Sequence, residues 1–469
     1  MKKLLINNIF LSLIFIGLVV IFVWPLNLDV ILSLLLITIY FYLKMSKQEN
    51  LLEKTNFLHL LLLFVLMLAS IETIYSYKIS AYWIPIVGII MLVTILFRDL
   101  ELGLLLTLIS SIFTGIIYSN INLTIILLIT GIFTSLLSYN AKKRSQIIKA
   151  GVLAGCIQVV CIIFMKNFNF NTISTREFLV PLLNGLLSGF LVSGVLPIFE
   201  YLFGVMTNIS LLELSDFNHP LLKKMILEAP GTYHHSLIVG NLAETATEAV
   251  GANPLLARVG AYYHDIGKLE KPEYFSENQK VDQSKHTNLS PSMSKLVIMN
   301  HVKDGMELAK KYKLNPRLID FIEQHHGTSL VYCFYRRALE GLETEDDIKE
   351  EGFRYPGPKP KTKEAAIVLL ADSVEAASRA IDSPTAAKIE DVVHKIINNK
   401  FIDGQLDLCD LTLKDLEKIA NIFSHILTGI YHGRVEYPEQ KQNNHKKSSK
   451  QNSSSSEQNK KHHSENNKA

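Results

Sequence analysis

The residues able to do chemistry gather around Tyr262-Tyr263-His264-Asp265-Ile266-Gly267-Lys268. A His followed at once by an Asp says little by itself. What matters stands at a distance: His235 upstream, then His301, the doublet His325-His326 and Asp372 downstream. Five imidazoles and two carboxylates could supply two adjacent metal ions. Such a pair needs borderline nitrogen and oxygen ligands, a carboxylate shared between the ions, and an open position for water. Asp265 is the natural bridge, because it sits beside one imidazole and can lean toward a second ion.

The elements that must position these residues announce themselves by punctuation. Asn253-Pro254 opens a helix expected to run through His264-Asp265 and stop at Gly267. Ser290-Pro291 opens another, carrying His301, and Asn315-Pro316 opens a third, ending His325-His326-Gly327. In each, a capping side chain precedes Pro at the first helical position, and in two a Gly follows the end. Thr232 is expected to begin a helix carrying His235, and Lys363 to Ala380 to form one carrying Asp372. No strand alternation stands out. This half reads as an all-α bundle with ligands projecting inward from several helices.

The 469 residues are 48% hydrophobic, an average that hides two unlike halves. Apolar runs fall at roughly 4–24, 28–45, 57–77, 82–98, 102–119, 121–139, 147–166 and 178–204. Runs of about 17–25 residues cross ~30 Å of hydrocarbon as helices. The first follows Lys2-Lys3, but no small-residue cleavage site follows it, so it reads as an uncleaved anchor. Lys44, Lys47 and Lys54 follow the second run, Arg98 the fourth, and Lys142, Lys143, Arg144 and Lys149 the sixth. The alternate loops carry few cations. That asymmetry places the N-terminus, the even-numbered loops and the polar half in the cytoplasm. Gly151/Gly155 and Gly185/Gly189 have the spacing that lets membrane helices pack closely. Glu72 and His59 lie near the ends of one span and read as interfacial.

A net charge of +3 is too mild to argue for a nucleic-acid polymer. Cys156, Cys161, Cys333 and Cys409 show no framework spacing and read as free thiols in a reducing compartment. Beyond Gln440 the chain is rich in Ser, Asn, Lys and His and cannot bury enough surface to order itself. The divisions are an anchor at 1–25, a membrane bundle at 26–204, a catalytic half at 205–438 and a polar tail at 439–469.

The pattern H…HD…H…HH…D resembles the HD-domain phosphohydrolases. Ala229-Pro230-Gly231-Thr232-Tyr233-His234-His235-Ser236, Gln324-His325-His326-Gly327-Thr328, Phe353-Arg354-Tyr355-Pro356-Gly357-Pro358 and Leu370-Ala371-Asp372-Ser373 narrow the resemblance. Together they look like the seven-transmembrane HD family of cyclic-di-AMP phosphodiesterases, of the PgpH type. The Gly-Tyr-Pro signature of relatives that cleave cyclic-di-GMP is missing after His326. Members usually carry a large extracellular domain after the anchor; here only Pro25 to Asn27 joins anchor and bundle. On that basis the catalytic half is expected to work at a rate close to that of the full chain, with any input arriving through Pro197 to Leu214.

The resemblance implies a membrane-bound phosphodiesterase that converts cyclic-di-AMP to linear pApA. His235, His264, Asp265 and Asp372 would hold one divalent transition ion, Mn or Fe; Asp265, His301, His325 and His326 would hold the other. A hydroxide activated by both cations would attack in line, with Lys268 neutralising charge that develops on the phosphate. The expected location is the bacterial cell membrane. The expected partners are cyclic-di-AMP, membrane lipid and a second copy in a homodimer. The competing readings are an HD phosphohydrolase acting on another cyclic dinucleotide or nucleotide, a signalling receptor using the HD half as a binding module, and a transporter.

Overall fold

The computed structural model of the chain describes residues 54–279, 285–340 and 349–431. The first two apolar runs, the Pro25–Asn27 join and the tail from 439 lie outside the described residues. The described residues are helical, with one isolated antiparallel bridge between Leu330 and Arg354 and no strand.

The amino-terminal bundle holds α1 (Lys54–Ser76), α2 (Ile86–Phe97), α3 (Leu100–Ile117), α4 (Ile121–Ser138), α5 (Arg144–Met165) and α6 (Thr175–Phe203). All but α2 are long and apolar enough to cross a membrane. The run read over 82–98 is not one continuous helix. Pro85 has no amide hydrogen to donate, and a 3₁₀ turn at Ala81–Trp83 precedes α2. Asn184 Nδ2 on α6 takes up two carbonyls at the break, Tyr82 O at 2.8 Å and Ile84 O at 3.0 Å. With 12 residues, α2 reaches only about 18 Å at ~1.5 Å per residue.

The bundle turns an apolar face outward. Leu66, Phe133, Val160, Phe164, Phe190 and Ile198 are exposed, a surface that suits lipid and not water. Inside, Thr94, Thr107, Thr114, Thr130 and Ser135 are buried, each bonding back to a carbonyl of its own helix. Lipid is as apolar as the helices, so close packing must hold such a bundle together. The two glycine pairs meet: a Cβ on Gly151 would fall 2.3 Å from Gly185 O, and one on Gly155 would fall 2.7 Å from Pro181 O. Glu72 accepts from Ser76 Oγ at 3.2 Å, and His59 stacks on Phe203 with centroids 4.0 Å apart.

Pro197 leaves the Ser193 carbonyl, four residues back, without its helical donor. Arg144 Nη1 fills that place at 2.8 Å. The same guanidinium forks onto Glu213 of α7 (Asn208–Leu214) at 2.6 and 2.8 Å. Buried Glu200 on α6 accepts from Thr207 N at 2.8 Å and Ser210 Oγ at 2.5 Å. From the other side, Arg317 Nε reaches Gly204 O at 3.2 Å, Asn315 Nδ2 reaches Val205 O at 3.1 Å, and Tyr263 OH donates to Leu214 O at 2.8 Å. The connector is gripped by both halves.

The second half holds α8 (Pro220–Glu228), α9 (Pro230–Ala249), α10 (Pro254–Tyr263), α11 (Pro291–Lys311), α12 (Pro316–Gln324), α13 (Tyr332–Leu339), α14 (Lys363–Arg379), α15 (Ala386–Ile402) and α16 (Leu413–Tyr431). Asn253, Ser290 and Asn315 cap their helices as their residue types predict, accepting from Leu256 N, Met293 N and Arg317 N. The helix carrying His235 starts earlier than Thr232, at Pro230. Helix α14 is central: Ala366 to Ala371 are wholly buried, with α9, α10, α15 and α16 around them. A second cluster packs Leu211 of α7 with Leu222, Tyr263, Ile266 and Ile322. The connector therefore contributes to the core beneath the candidate site.

Candidate metal centre

Five segments deliver the side chains. His235 comes from α9, His301 from α11 and Asp372 from α14. His325 closes α12 as its C-cap, with His326 next and Gly327 at φ +53°. Helix α10 ends at Tyr263, sooner than the sequence predicts: His264 caps it, Asp265 leaves it at φ −109°, and the 3₁₀ turn Ile266–Glu270 carries Lys268. Gly267 is not a helix-ending glycine. It lies against α11, where a Cβ would stand 1.8 Å from His301 O.

All seven predicted ligands come together in two groups, His235, His264, Asp265 and Asp372 in one and His301, His325 and His326 in the other. Asp265 stands between them, one oxygen toward each. Its Oδ2 lies 3.5 Å from His235 Nε2 and 3.2 Å from His264 Nε2; its Oδ1 lies 3.3 Å from His301 Nε2 and 3.6 Å from His325 Nε2. Asp372 spans the groups too, with Oδ1 3.1 Å from His235 Nε2 and Oδ2 3.6 Å from His326 Nδ1.

The donor chemistry fits an ion. His264 Nδ1 donates to Ala261 O at 2.6 Å, His301 Nδ1 to Ile298 O at 2.5 Å and His325 Nδ1 to Ile322 O at 2.9 Å. That tautomer leaves each Nε2 as a bare lone pair. Bare nitrogens of His301 and His325 then face each other at 3.2 Å, which is repulsive without a cation between them. His235 Nε2, His264 Nε2 and both Asp265 oxygens are buried without a hydrogen-bond partner. Ligands ~2.1 Å from a shared ion stand about 3.0–3.5 Å apart, close to the separations here.

Three residues that sequence reasoning missed support the cluster. Buried Glu375 accepts from His235 Nδ1 at 2.6 Å and from Arg379 Nη2 at 2.7 Å. It sits one turn after Asp372 on α14, so the Asp-x-x-Glu spacing was the available signal. Glu277 takes Lys268 Nζ at 2.8 Å, while Nζ also comes to 2.6 Å of Asp265 Oδ2 without hydrogen-bond geometry. No sequence spacing marks Glu277, which lies in a short 3₁₀ turn. Tyr355 stacks on His326, centroids 4.3 Å apart. His286 bonds Tyr274 O at 2.8 Å through Nε2 and packs against the Tyr274 and Phe334 rings.

Burial pushes His301 down to about 4, against the pull of Asp265. Burial and His325 hold His326 well below the ordinary histidine value. Burial opposes ionisation of Asp265, but His264 and Lys268 outweigh it and keep the carboxyl well below its usual range. In His264 the order reverses: burial lowers it, but Asp265 and Asp372 lift it to about 9, so without a cation beside it the ring takes a second proton at Nε2, the position a bound ion would occupy instead.

Glu375→Gln keeps the shape and removes the charge behind His235. We expect metal affinity to fall about 10–100-fold, the usual effect of losing such an outer partner. Titration of stripped protein with Mn measures it, and unchanged affinity would remove Glu375 from the site.

Two family models match the chain: "7TM receptor with intracellular HD hydrolase" over residues 24–207 and "HD domain" over residues 232–377. The chain is 40% identical over 426 residues to the Cyclic-di-AMP phosphodiesterase PgpH of Bacillus subtilis, covering 87% of this chain and 59% of that protein. It is 43% identical over 323 residues to the protein of that name from Listeria monocytogenes, covering 68% of this chain and 45% of the relative. The chain thus spans about half the length of these curated relatives. The crystal structure of the L. monocytogenes PgpH HD domain in complex with cyclic-di-AMP matches at 48% identity, covering 46% of this chain and all of that one, with a TM-score of 0.45. With a membrane-helix match followed by an HD match, and with the H…HD…H…HH…D residues gathered in one cluster, the chain belongs to the seven-transmembrane HD hydrolase family.

Proposed function

We propose that this chain is a metal-dependent phosphodiesterase that hydrolyses cyclic-di-AMP to linear pApA. The observation that carries the reading is the Asp265 carboxylate, splayed so that each oxygen faces a different set of bare imidazole nitrogens. A site for one ion needs no such bridge; a paired site does. The similarity to the two curated PgpH proteins supports the substrate. In this reading residues 1–25 are an anchor, 26–204 a lipid-facing bundle, 205–438 the hydrolase unit and 439–469 a polar tail. Basic Arg144 meets Glu213 of the hydrolase half, and the excess of cations on that side supports a cytoplasmic location at a bacterial cell membrane.

His235, His264, Asp265 and Asp372 would hold one divalent ion; Asp265, His301, His325 and His326 would hold the other. When bound, such a pair, Mn or Fe by the mixed nitrogen and oxygen donors, supplies Lewis acidity to the phosphodiester and makes water nucleophilic at neutral pH. The chain's own part is orientation. Backbone carbonyls of Ala261, Ile298 and Ile322 fix three imidazole tautomers, and Glu375 fixes a fourth ring. Tyr355 covers one face of His326. Lys268, held by Glu277 and beside Asp265, sets a positive charge where charge develops on the phosphate.

The test is the full chain in lipid, stripped and reloaded with Mn or Fe, assayed against cyclic-di-AMP, cyclic-di-GMP and linear dinucleotides. The expected product is pApA from cyclic-di-AMP. Cleavage of another nucleotide in preference, or full activity after complete stripping, would sink the reading.

A further inference from the structure

The cations around the metal cluster are mostly matched by carboxylates. Lys268 has Glu277 and Asp265, Arg379 has Glu375, Lys359 has Asp407, and Arg354 has Asp403 and Glu350. Lys400, near the end of α15, differs. Among the described residues its Nζ makes one hydrogen bond, to Ser329 Oγ at 2.7 Å, and no ion pair. An ammonium carries three donors, so two are left over in a half-buried place. Neighbouring Asp403 is already occupied by Arg354, at 2.8 and 3.1 Å, and by Gln405 at 2.7 Å.

Ser329 ties Lys400 to the site. Its amide donates to His326 O at 3.0 Å, and its carbonyl accepts from Tyr355 N at 3.0 Å. Tyr355 is the ring stacked on His326. The ammonium is therefore one residue removed from a candidate metal ligand, on the shelf formed by the His326 loop and Tyr355. It also lies within the field of Asp372. A half-buried cation with spare donors beside a phosphodiester site is arranged to receive an anion.

We propose that Lys400 is a substrate-binding residue, taking the phosphate of the cyclic dinucleotide that is not at the metal cluster. The assignment rests on the phosphodiesterase reading above. It separates two kinds of substrate: a cyclic dinucleotide has a second phosphate to offer, and bis(p-nitrophenyl) phosphate has none.

The experiment compares Lys400→Met, Lys400→Arg and the unaltered full chain, all loaded with Mn, on both substrates. Lys400→Met should raise KM for cyclic-di-AMP about tenfold or more, the scale of one charge-assisted hydrogen bond, with kcat nearly unchanged. Its action on bis(p-nitrophenyl) phosphate should match that of the unaltered chain, and Lys400→Arg should recover most of the KM. An unshifted KM, or equal losses on both substrates, overturns the assignment. An unaltered chain that cleaves the simple diester but not cyclic-di-AMP overturns the substrate reading and the assignment with it.

Discussion

Asp265→Ala is expected to lower turnover at least about a thousandfold, roughly 4 kcal/mol of transition-state stabilisation. The size follows from position. Among the described residues Asp265 is the one carboxylate facing four imidazole nitrogens, within 3.2 to 3.6 Å of each. Its removal takes a donor from both halves of the cluster, whereas loss of an outer partner typically costs about 10–100-fold. It also leaves Lys268 with Glu277 as its remaining close carboxylate. Metal analysis should show fewer than two ions per chain bound after dialysis. His219→Ala is the control: that ring lies edge-on to Tyr263 at 5.5 Å and supplies no atom to the cluster. It should keep activity. A fully active Asp265→Ala protein would end the paired-ion reading.

Gly267→Ala should be almost as damaging, for a steric reason. The added Cβ would stand 1.8 Å from His301 O and 2.5 Å from Gly305 N. Both are backbone atoms of α11, so no side chain can swing aside. Overpacking of this kind costs about 1–3 kcal/mol or more. The structure can relieve it by moving α11 away from the 3₁₀ turn, which separates His301 from Asp265. We expect a lower melting temperature together with weakened metal binding. Gly194→Ala, where nothing lies within 4 Å of the new atom, should leave both unchanged. Wild-type melting and metal content in Gly267→Ala would show that the close approach is not needed.

What the sequence made legible was what local chemistry marks. Asn-Pro and Ser-Pro helix starts and glycine pairs at four-residue spacing read correctly, because each is set by a few adjacent residues; the candidate ligands were picked out by type, and the fold gathers them. Gly267 misled because a glycine after a helix has two uses, and only the neighbour on α11 distinguishes them. Pro85 was visible within the run at 82–98, yet apolarity outweighed it in the reading; the lost amide donor decided the local structure. Glu375 could have been found from its spacing to Asp372. Glu277 and Lys400 could not, since their partners lie in other segments and only the fold brings them together.

The grip on the connector has a consequence for the bundle. The Leu214 carbonyl receives the Tyr263 hydroxyl, and the next residue, His264, is a candidate ligand. Arg144 ties the same short helix to the proline-opened carbonyl of α6. A coupling free energy has no direction. To whatever extent a displaced α6 alters binding at the cluster, filling the cluster must alter the preferred posture of α6 by the same amount. Occupancy of the site then becomes something a sensor placed among the apolar helices of the bundle could read.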